Sequence, residues 1–420
     1  MFVYQHKTTL FVLLIKKIIT MKKIIFLFLL FSNSMMAQTI YQKDFSEFWN
    51  NINENYAYLE QQKIDWNKVK QIYEPLVGNI HTRDEFVTFL EQVINELHNG
   101  HISLNTNLKS SNRIIPSGMD LFLQKKENSY VISDIRKSYP SWLCGLRPGM
   151  RVIRFDGKNI DEQLNLFLPK YTKNYTPEIV EYALNMLFAG THDKQRKITV
   201  LENGIEKEYS PDACKIPDHP STLLDFKIMD GNTGYIKINN SLGNDDLIQA
   251  FDTVLNKLQQ TGKLILDLTE TPGGGNSAVA RAIMGRFTDK ELPFQKHELV
   301  ETPYKIKRSW IEYVSPRNET YKNKVIILVG HWTGSMGEGI AIGFDGMERA
   351  KVTGTKMAGL LGAIDQFKLS HTNIGYQFPT ERVYHINGTP REHYRPTYLT
   401  ENINDTWEKV KVLFKIAEYK

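Results

Sequence analysis

The chain has 420 residues, of which 41% are hydrophobic and 24% charged, with no long polar or Pro/Gly-rich tract. That composition describes a globular protein of two or three units and excludes a disordered or fibrous chain. The formal net charge of +5 belongs to the start: Lys7, Lys16, Lys17, Lys22 and Lys23 precede residue 38 with no acid among them, so the rest is balanced and gives no basis for a nucleic-acid partner.

In chain order, Met21-Lys22-Lys23, the apolar run Ile24 to Phe31 and the small residue Ala37 have the layout of a secretory signal over residues 21–37, with residues 1–20 upstream of the true start. The run is well short of the roughly 20 apolar residues that cross a bilayer. The expectation is an exported protein, periplasmic or secreted, with no stable membrane anchor once the leader is removed. Cys144 and Cys214 are the two cysteines. They can form at most one bridge, and they are too few for a disulfide framework or a zinc cluster.

Gln38 to about His98 reads as helical. Thr82-Arg83-Asp84-Glu85 is a capping box, and Phe86, Phe89, Leu90, Val93, Ile94 and Leu97 follow at helical spacing. Asn99-Gly100 ends that helix and His101 begins an extended run, a position that can face a cleft. Residues 106–215 carry short strand-like runs, including Tyr130 to Ile135 and Val152 to Phe155, and a hairpin turn at Asn203-Gly204. From about Leu223, strands such as Lys263 to Leu268 and Lys324 to Val329 alternate with helices predicted at Asp245 to Leu258, Ala278 to Phe287 and Met336 to Arg349. Alternation of this kind indicates an α/β layer architecture.

The strongest local signal is Gly334-Ser335-Met336-Gly337, where a buried strand runs into a serine that opens a helix. Such a turn exposes the hydroxyl and aims the first helical N–H groups at whatever binds there, as an acyl-transfer nucleophile requires. A helix-capping serine is the commoner meaning of the same pattern. Pro272-Gly273-Gly274-Gly275 follows another strand and lacks the Lys-Ser/Thr pair of a phosphate loop. Two such loops can face one crevice and share an oxyanion hole. A nucleophilic serine needs a base and an acid to orient it. His101 and His331 are candidates for the first and Glu392, after the turn at Gly388, for the second; chemistry alone does not rank them.

Taken in order, Leu97 to Ser103, Gly145-Leu146 through Asp156-Gly157, Leu266 to Gly274, Thr333 to Glu338 and Gly388 to Pro396 resemble the motifs of the C-terminal-processing (tail-specific) serine peptidases. The similarity is to the branch of the tricorn core protease and the retinoid-binding-protein repeats. That branch uses a Ser-His-Glu set, whereas the main branch has a Ser-Lys pair. The resemblance implies an α/β core of crotonase/Clp-protease type (216–420), an N-terminal helical subdomain (38–105) and an inserted PDZ-like β-rich module (106–215). It implies Ser335 as nucleophile, His101 as base, Glu392 as its acid, and the N–H groups of Met336 and of Gly273 or Gly274 as the oxyanion hole. The main branch's lysine position holds Leu360, and Lys356 is expected on the surface. Gly100 stands where the tricorn type has a second active-site serine.

The function expected is therefore a serine endopeptidase acting on peptides or unfolded proteins, needing no metal or cofactor. Its activity should rise through a limb at about pH 6–7, near the ordinary histidine value of ~6.5. Gly118, Met119 and Leu121, with Leu123 continuing the edge strand, are the expected acceptors of a free C-terminus in the PDZ-like module. A non-catalytic ligand- or peptide-binding protein on the same scaffold is the rival, and an esterase using the same serine is a third reading.

Overall fold

The structure is a computed structural model that describes residues 38–214 and 222–415. The expected leader, residues 1–37, lies outside the described residues. Among the latter, no helix is long and apolar enough to cross a membrane, and both cysteines are free.

The first stretch forms helices Ile40–Asn55, Trp66–Val77 and Arg83–Asn95. Each starts on a side-chain cap: Thr39 with Gln42, Asp65, and Thr82 with Glu85, the predicted capping box. Trp49 and Trp66 lock two of them, each indole N–H donating to the other's carbonyl at 3.0 Å. Strand β1 (Ser103–Leu104) follows.

Strands β2 (Leu121–Lys126), β3 (Ser129–Ile135), β4 (Arg151–Phe155), β5 (Lys158–Asn159), β6 (Ile198–Glu202) and β7 (Ile205–Tyr209) form an antiparallel sheet in the order β2-β3-β4-β6-β7, with β5 on β4. The β6–β7 turn places Asn203 at φ 50° and Gly204 at φ 81°, the left-handed pair that a two-residue hairpin of this twist requires. Helix Pro177–Ala189 lies over the sheet and buries Leu184, Leu187 and Phe188 with Leu123, Ile132, Val152 and Val200.

The rest of the chain supplies β8 (Leu224–Met229), β9 (Thr233–Ile238), β10 (Lys263–Asp267), β11 (Leu292–Glu301), β12 (Ile306–Val314), β13 (Lys324–Val329), β14 (Lys351–Gly354), β15 (Ala363–Lys368), β16 (Gly375–Tyr384) and β17 (Tyr398–Leu399). Six of them form a sheet in the order β17-β14-β13-β10-β9-β8, parallel except for β8. The central strands β10 and β13 are apolar on both faces because helices cover both. Asp246–Leu258, Ser277–Met284 and Met336–Gly346 pack on one face, Ile403–Phe414 on the other. The mixed α/β architecture expected from the alternation is present.

A second sheet, β1-β16-β11-β12 with β15 also on β16, was not part of that expectation. Strand β12 leaves Ile306, Ile311 and Tyr313 exposed, so no clean two-residue alternation marks it in the sequence. Tyr376 and Phe378 of β16 join the core of the N-terminal helices. The opening helices are thus built against strands from near the chain's end.

Within the α/β part, Arg286 is 0% exposed; its guanidinium donates to Asp252 at 2.6 Å, Asn256 at 2.8 Å and the Glu319 carbonyl at 3.1 Å. Burial pushes the Asp252 carboxyl up, but hydrogen bonds from Arg317 and Arg286 outweigh it and hold it below the usual range. Asp252→Ala leaves that guanidinium without its counter-charge, so urea denaturation should show a loss of about 3–5 kcal/mol.

Candidate active site

Strand β13 ends at Val329 and the chain turns through Gly334 into Ser335, which sits at φ 52°, ψ −112° before helix Met336–Gly346. A residue with a Cβ avoids this conformation unless its surroundings hold it. The surroundings are the glycine-rich loop after β10. The Thr271 N–H donates to the Trp332 carbonyl at 3.0 Å, the Gly334 N–H to the Thr271 carbonyl at 3.2 Å, and the Thr333 hydroxyl to the Leu268 carbonyl at 2.8 Å. Glycine is needed where the loops touch: a Cβ built on Gly337 falls 2.4 Å from Thr271 Oγ1, and one on Gly274 falls 2.5 Å from the Ser335 Cβ.

His101 Nε2 lies 3.0 Å from Ser335 Oγ, and its Nδ1 lies 2.7 Å from the Leu361 carbonyl oxygen. A carbonyl only accepts, so Nδ1 carries the proton and Nε2 is left to accept from the serine hydroxyl. Its backbone N–H donates to Asn99 Oδ1 at 2.9 Å, and the Asn99 amide donates to the Tyr56 hydroxyl at 3.1 Å. Burial, and then the nearby Arg391 guanidinium, push the imidazole down to about 4. The acid limb expected at pH 6–7 for this residue is corrected accordingly.

Glu392 does not take the place expected of it. The ring's second nitrogen is on the Leu361 carbonyl, and the buried Glu392 Oε2 has no hydrogen bond among the described residues. Burial raises the Glu392 carboxyl, which lies close enough to Tyr56 and Tyr58 to add to the rise of their phenols. Orientation of the imidazole comes instead from loop 359–362. Glu338 accepts from the N–H groups of Ser335 (2.8 Å), Gly359 (2.9 Å) and Leu360 (3.2 Å). Arg391 donates to the carbonyls of Leu360 (3.0 Å) and Gly362 (2.6 Å). Burial raises Glu338 to about 7, against the pull of Arg391 and the three amides. The sequence reading gave neither residue a role, although the Ser335-x-x-Glu338 spacing is that of a capping box.

Of the three expected oxyanion donors, Met336 is the first residue of its helix, where an N–H has no carbonyl one turn back. Gly274, at φ 64°, makes only a long 3.4 Å bond to the Thr271 carbonyl. The Gly273 N–H donates to Asn240 Oδ1 at 2.7 Å, so in this conformation it is engaged elsewhere. The other base candidates lie apart. His331 stacks on Phe122 with ring centroids 4.0 Å apart. Lys356 pairs with Glu181 at 3.9 Å on the surface. Leu360 packs against both Gly100 and Gly334, and a Cβ on Gly100 falls 2.7 Å from the Ile115 carbonyl oxygen, so no side chain fits at position 100.

The expected peptide acceptors are also corrected. The Gly118 N–H donates to the Ile114 carbonyl at 2.6 Å and the Met119 N–H to the Pro116 carbonyl at 3.3 Å. Met119 and Leu121 are 3% and 1% exposed. Beside them the Asn185 amide takes both the N–H and the carbonyl of Leu123, at 3.0 and 3.1 Å. Strand β2 is the sheet edge, but at Leu123 it is closed by a side chain from helix Pro177–Ala189, and this loop offers no free amide pair to a carboxylate.

A partly accessible hydroxyl on a strained strand-to-helix turn, an imidazole nitrogen placed to accept from it and backbone amides beside it are an arrangement that can support acyl transfer. Residues 232–399 match the family described as Peptidase family S41, and residues 38–95 match the tricorn protease C1 domain. The segment 232–399 is thus similar to peptidase family S41, a family of serine-type peptidases. The chain is similar to the "Probable CtpA-like serine protease" of Staphylococcus haemolyticus, 25% identical over 344 residues that make up 80% of this chain. The chain spans 60% of the length of that relative. Mature CPAF shares the fold at 14% identity with a TM-score of 0.62, over 89% of this chain and 96% of that one. The photosystem II D1 C-terminal processing protease does so at 14% identity and a TM-score of 0.54, over 86% of this chain and 94% of that one.

Two measurements check the geometry. An NMR titration of the His101 ring, assigned by comparison with His101→Gln, should show its midpoint at about 4. Gly274→Ala drives a methyl into Ser335 at a positive φ. It should lower the rate of Ser335 acylation by about 10²-fold or more, the scale of a misplaced reacting group.

Proposed function

We propose that this chain is an exported serine endopeptidase that forms an acyl-enzyme on Ser335. The observation that carries the reading is the 3.0 Å contact between His101 Nε2 and Ser335 Oγ, with the opposite nitrogen fixed on a carbonyl. As Ser335 Oγ bonds to a peptide carbonyl carbon, its proton passes to His101 Nε2. The carbonyl oxygen becomes an oxyanion facing the N–H groups of Met336 and Gly274. The imidazolium returns that proton to the leaving amine as the C–N bond breaks, and water activated by the same nitrogen releases the acyl group. Glu392 makes no hydrogen bond to the base, whose second nitrogen is on the Leu361 carbonyl.

Export rests on the signal-like pattern of residues 21–37. Substrates are peptides or unfolded tails, a choice supported by the printed names of the similar proteins. The antiparallel sheet β2–β7 is read as a PDZ-like unit docked on the catalytic loops: Trp332 Nε1 donates to the Met119 carbonyl at 3.1 Å, and Arg136 Nε to Glu270 at 2.9 Å.

A ligand-binding protein on the same scaffold is favoured by one observation. A largely apolar cavity of about 320 Å³ lies between the helix Arg83–Asn95 and the β-rich unit, bounded by Ile94, Ile102, Ile115, Phe167 and Met186.

A fluorophosphonate probe separates the two. Labelling of Ser335, with peptide hydrolysis reduced at least ~10³-fold in Ser335→Ala and His101→Ala and no further in the double variant, is the expected result. Glu392→Gln should cost less than ~10-fold, since the Leu361 carbonyl still orients the ring. An unlabelled wild type that binds an apolar ligand tightly would leave the binding-protein reading in its place.

A further inference from the structure

The geometry points to Glu338 as the positioning residue that ties the nucleophile and the base to one anchor, through the N–H of Ser335 on one side and loop 359–362 on the other. This rests on the peptidase reading and deepens it. The Ser335 amide and the Leu360 amide meet the same Glu338 oxygen, at 2.8 and 3.2 Å, and the Gly359 amide meets the other at 2.9 Å. One residue further on, the Leu361 carbonyl accepts a hydrogen bond from His101 Nδ1–H at 2.7 Å. Arg391 holds the carbonyls on either side of that one. The loop is thus gripped by its amides at a carboxylate and by its carbonyls at a guanidinium, and its central carbonyl is left for the base. A shift of the Glu338 side chain moves the serine amide with respect to the loop that holds the imidazole. Leu360 adds the apolar side of the anchor, packed between Gly100 and Gly334.

Three N–H donors require an acceptor on both oxygens. An ionised carboxylate supplies that, whereas a protonated carboxyl or an amide turns a donor toward at least one of them. Among the described residues, the charged and titratable groups around the loop include Arg391 and Glu392 on the turn Arg391–His393, His101 after the helix Arg83–Asn95, and Tyr58, whose ring packs on Gly362. Burial places the Glu338 carboxyl at about 7, so its ionised form gives way as the pH falls through neutrality while His101 is still neutral. A limb of kcat/KM near 7, where a histidine would ordinarily be blamed, belongs on this account to Glu338.

The test uses the full mature chain and a peptide substrate without titratable side chains. In Glu338→Gln, kcat should fall about 10²-fold with KM within about 3-fold, because alignment is lost and binding is not. The wild-type limb near 7 should be absent from the variant, whose low activity stays level down to the His101 limb. Wild-type kcat in the variant, or a limb near 7 that persists in it, overturns the assignment. Histidine-ring nitrogen spectra read the same bond with no substrate and no peptidase activity. The wild type should show a protected His101 Nδ1–H that weakens as the pH falls through about 7. A signal unchanged over that range overturns the assignment even if Glu338→Gln does not fold. A wild type that shows this signal and yet fails to label at Ser335 defeats the peptidase reading and leaves the anchor standing.

Discussion

Two residues of backbone pairing carry the site. Ser103 and Leu104 of β1 pair with Gln377 and Tyr376 of β16, and His101 lies two residues before that pairing. The pairing alone is too short to persist. It is stabilised by the apolar cluster in which Phe48, Ile52, Phe86 and Leu90 of the opening helices meet Ile374, Tyr376 and Phe378. Bringing such distant segments together costs loop-closure entropy that grows only slowly with length, so a shared core can offset it. In consequence an imidazole near residue 100 and a hydroxyl near residue 335 stand at hydrogen-bond distance. The attachment of the opening helices to β16 and the position of the imidazole follow from this one packing event.

The chemistry of the pocket is set by exclusion of water as much as by the groups present. Burial, and then Arg391, lower the His101 imidazole and so favour its neutral form. Leu360 puts an apolar side chain between Gly100 and Gly334, beside the serine turn. The carboxylate of Glu338, on the helix that Ser335 opens, accepts from the amides of both Ser335 and loop 359–362.

The β-rich unit contributes in a different way from that expected. The Met119 carbonyl accepts from Trp332, Phe122 stacks on His331, and Arg136 reaches Glu270 beside the glycine loop. Met119, which reads in sequence as part of a receptor for a chain terminus, helps to fasten this unit to the loops around Ser335. The alternation of Met119, Leu121 and Leu123 signals one buried face and does not say whether a ligand or the protein's own core will cover it.

Much of the architecture was local and hence legible. The capping box at Thr82, the left-handed pair Asn203-Gly204, the apolar runs of β10 and β13 and the strand-to-helix turn at Ser335 are fixed by side chains within a few residues of one another. The order of motifs placed Ser335 and His101 in one site before any distance was known. The second sheet escaped notice because β12 is largely exposed and finds its partner through a long antiparallel hairpin whose strands lack a strict polar alternation. The partner of His101 Nδ1 escaped because it is a backbone carbonyl, which every residue has and no sequence pattern marks. The amino-acid sequence by itself determined which groups could react and which segments would be helix or strand, since these depend on neighbours along the chain. Which carboxylate anchors the site, which amides stay free and whether the strand edge is open depend on neighbours across space, and only the packed tertiary structure decided them.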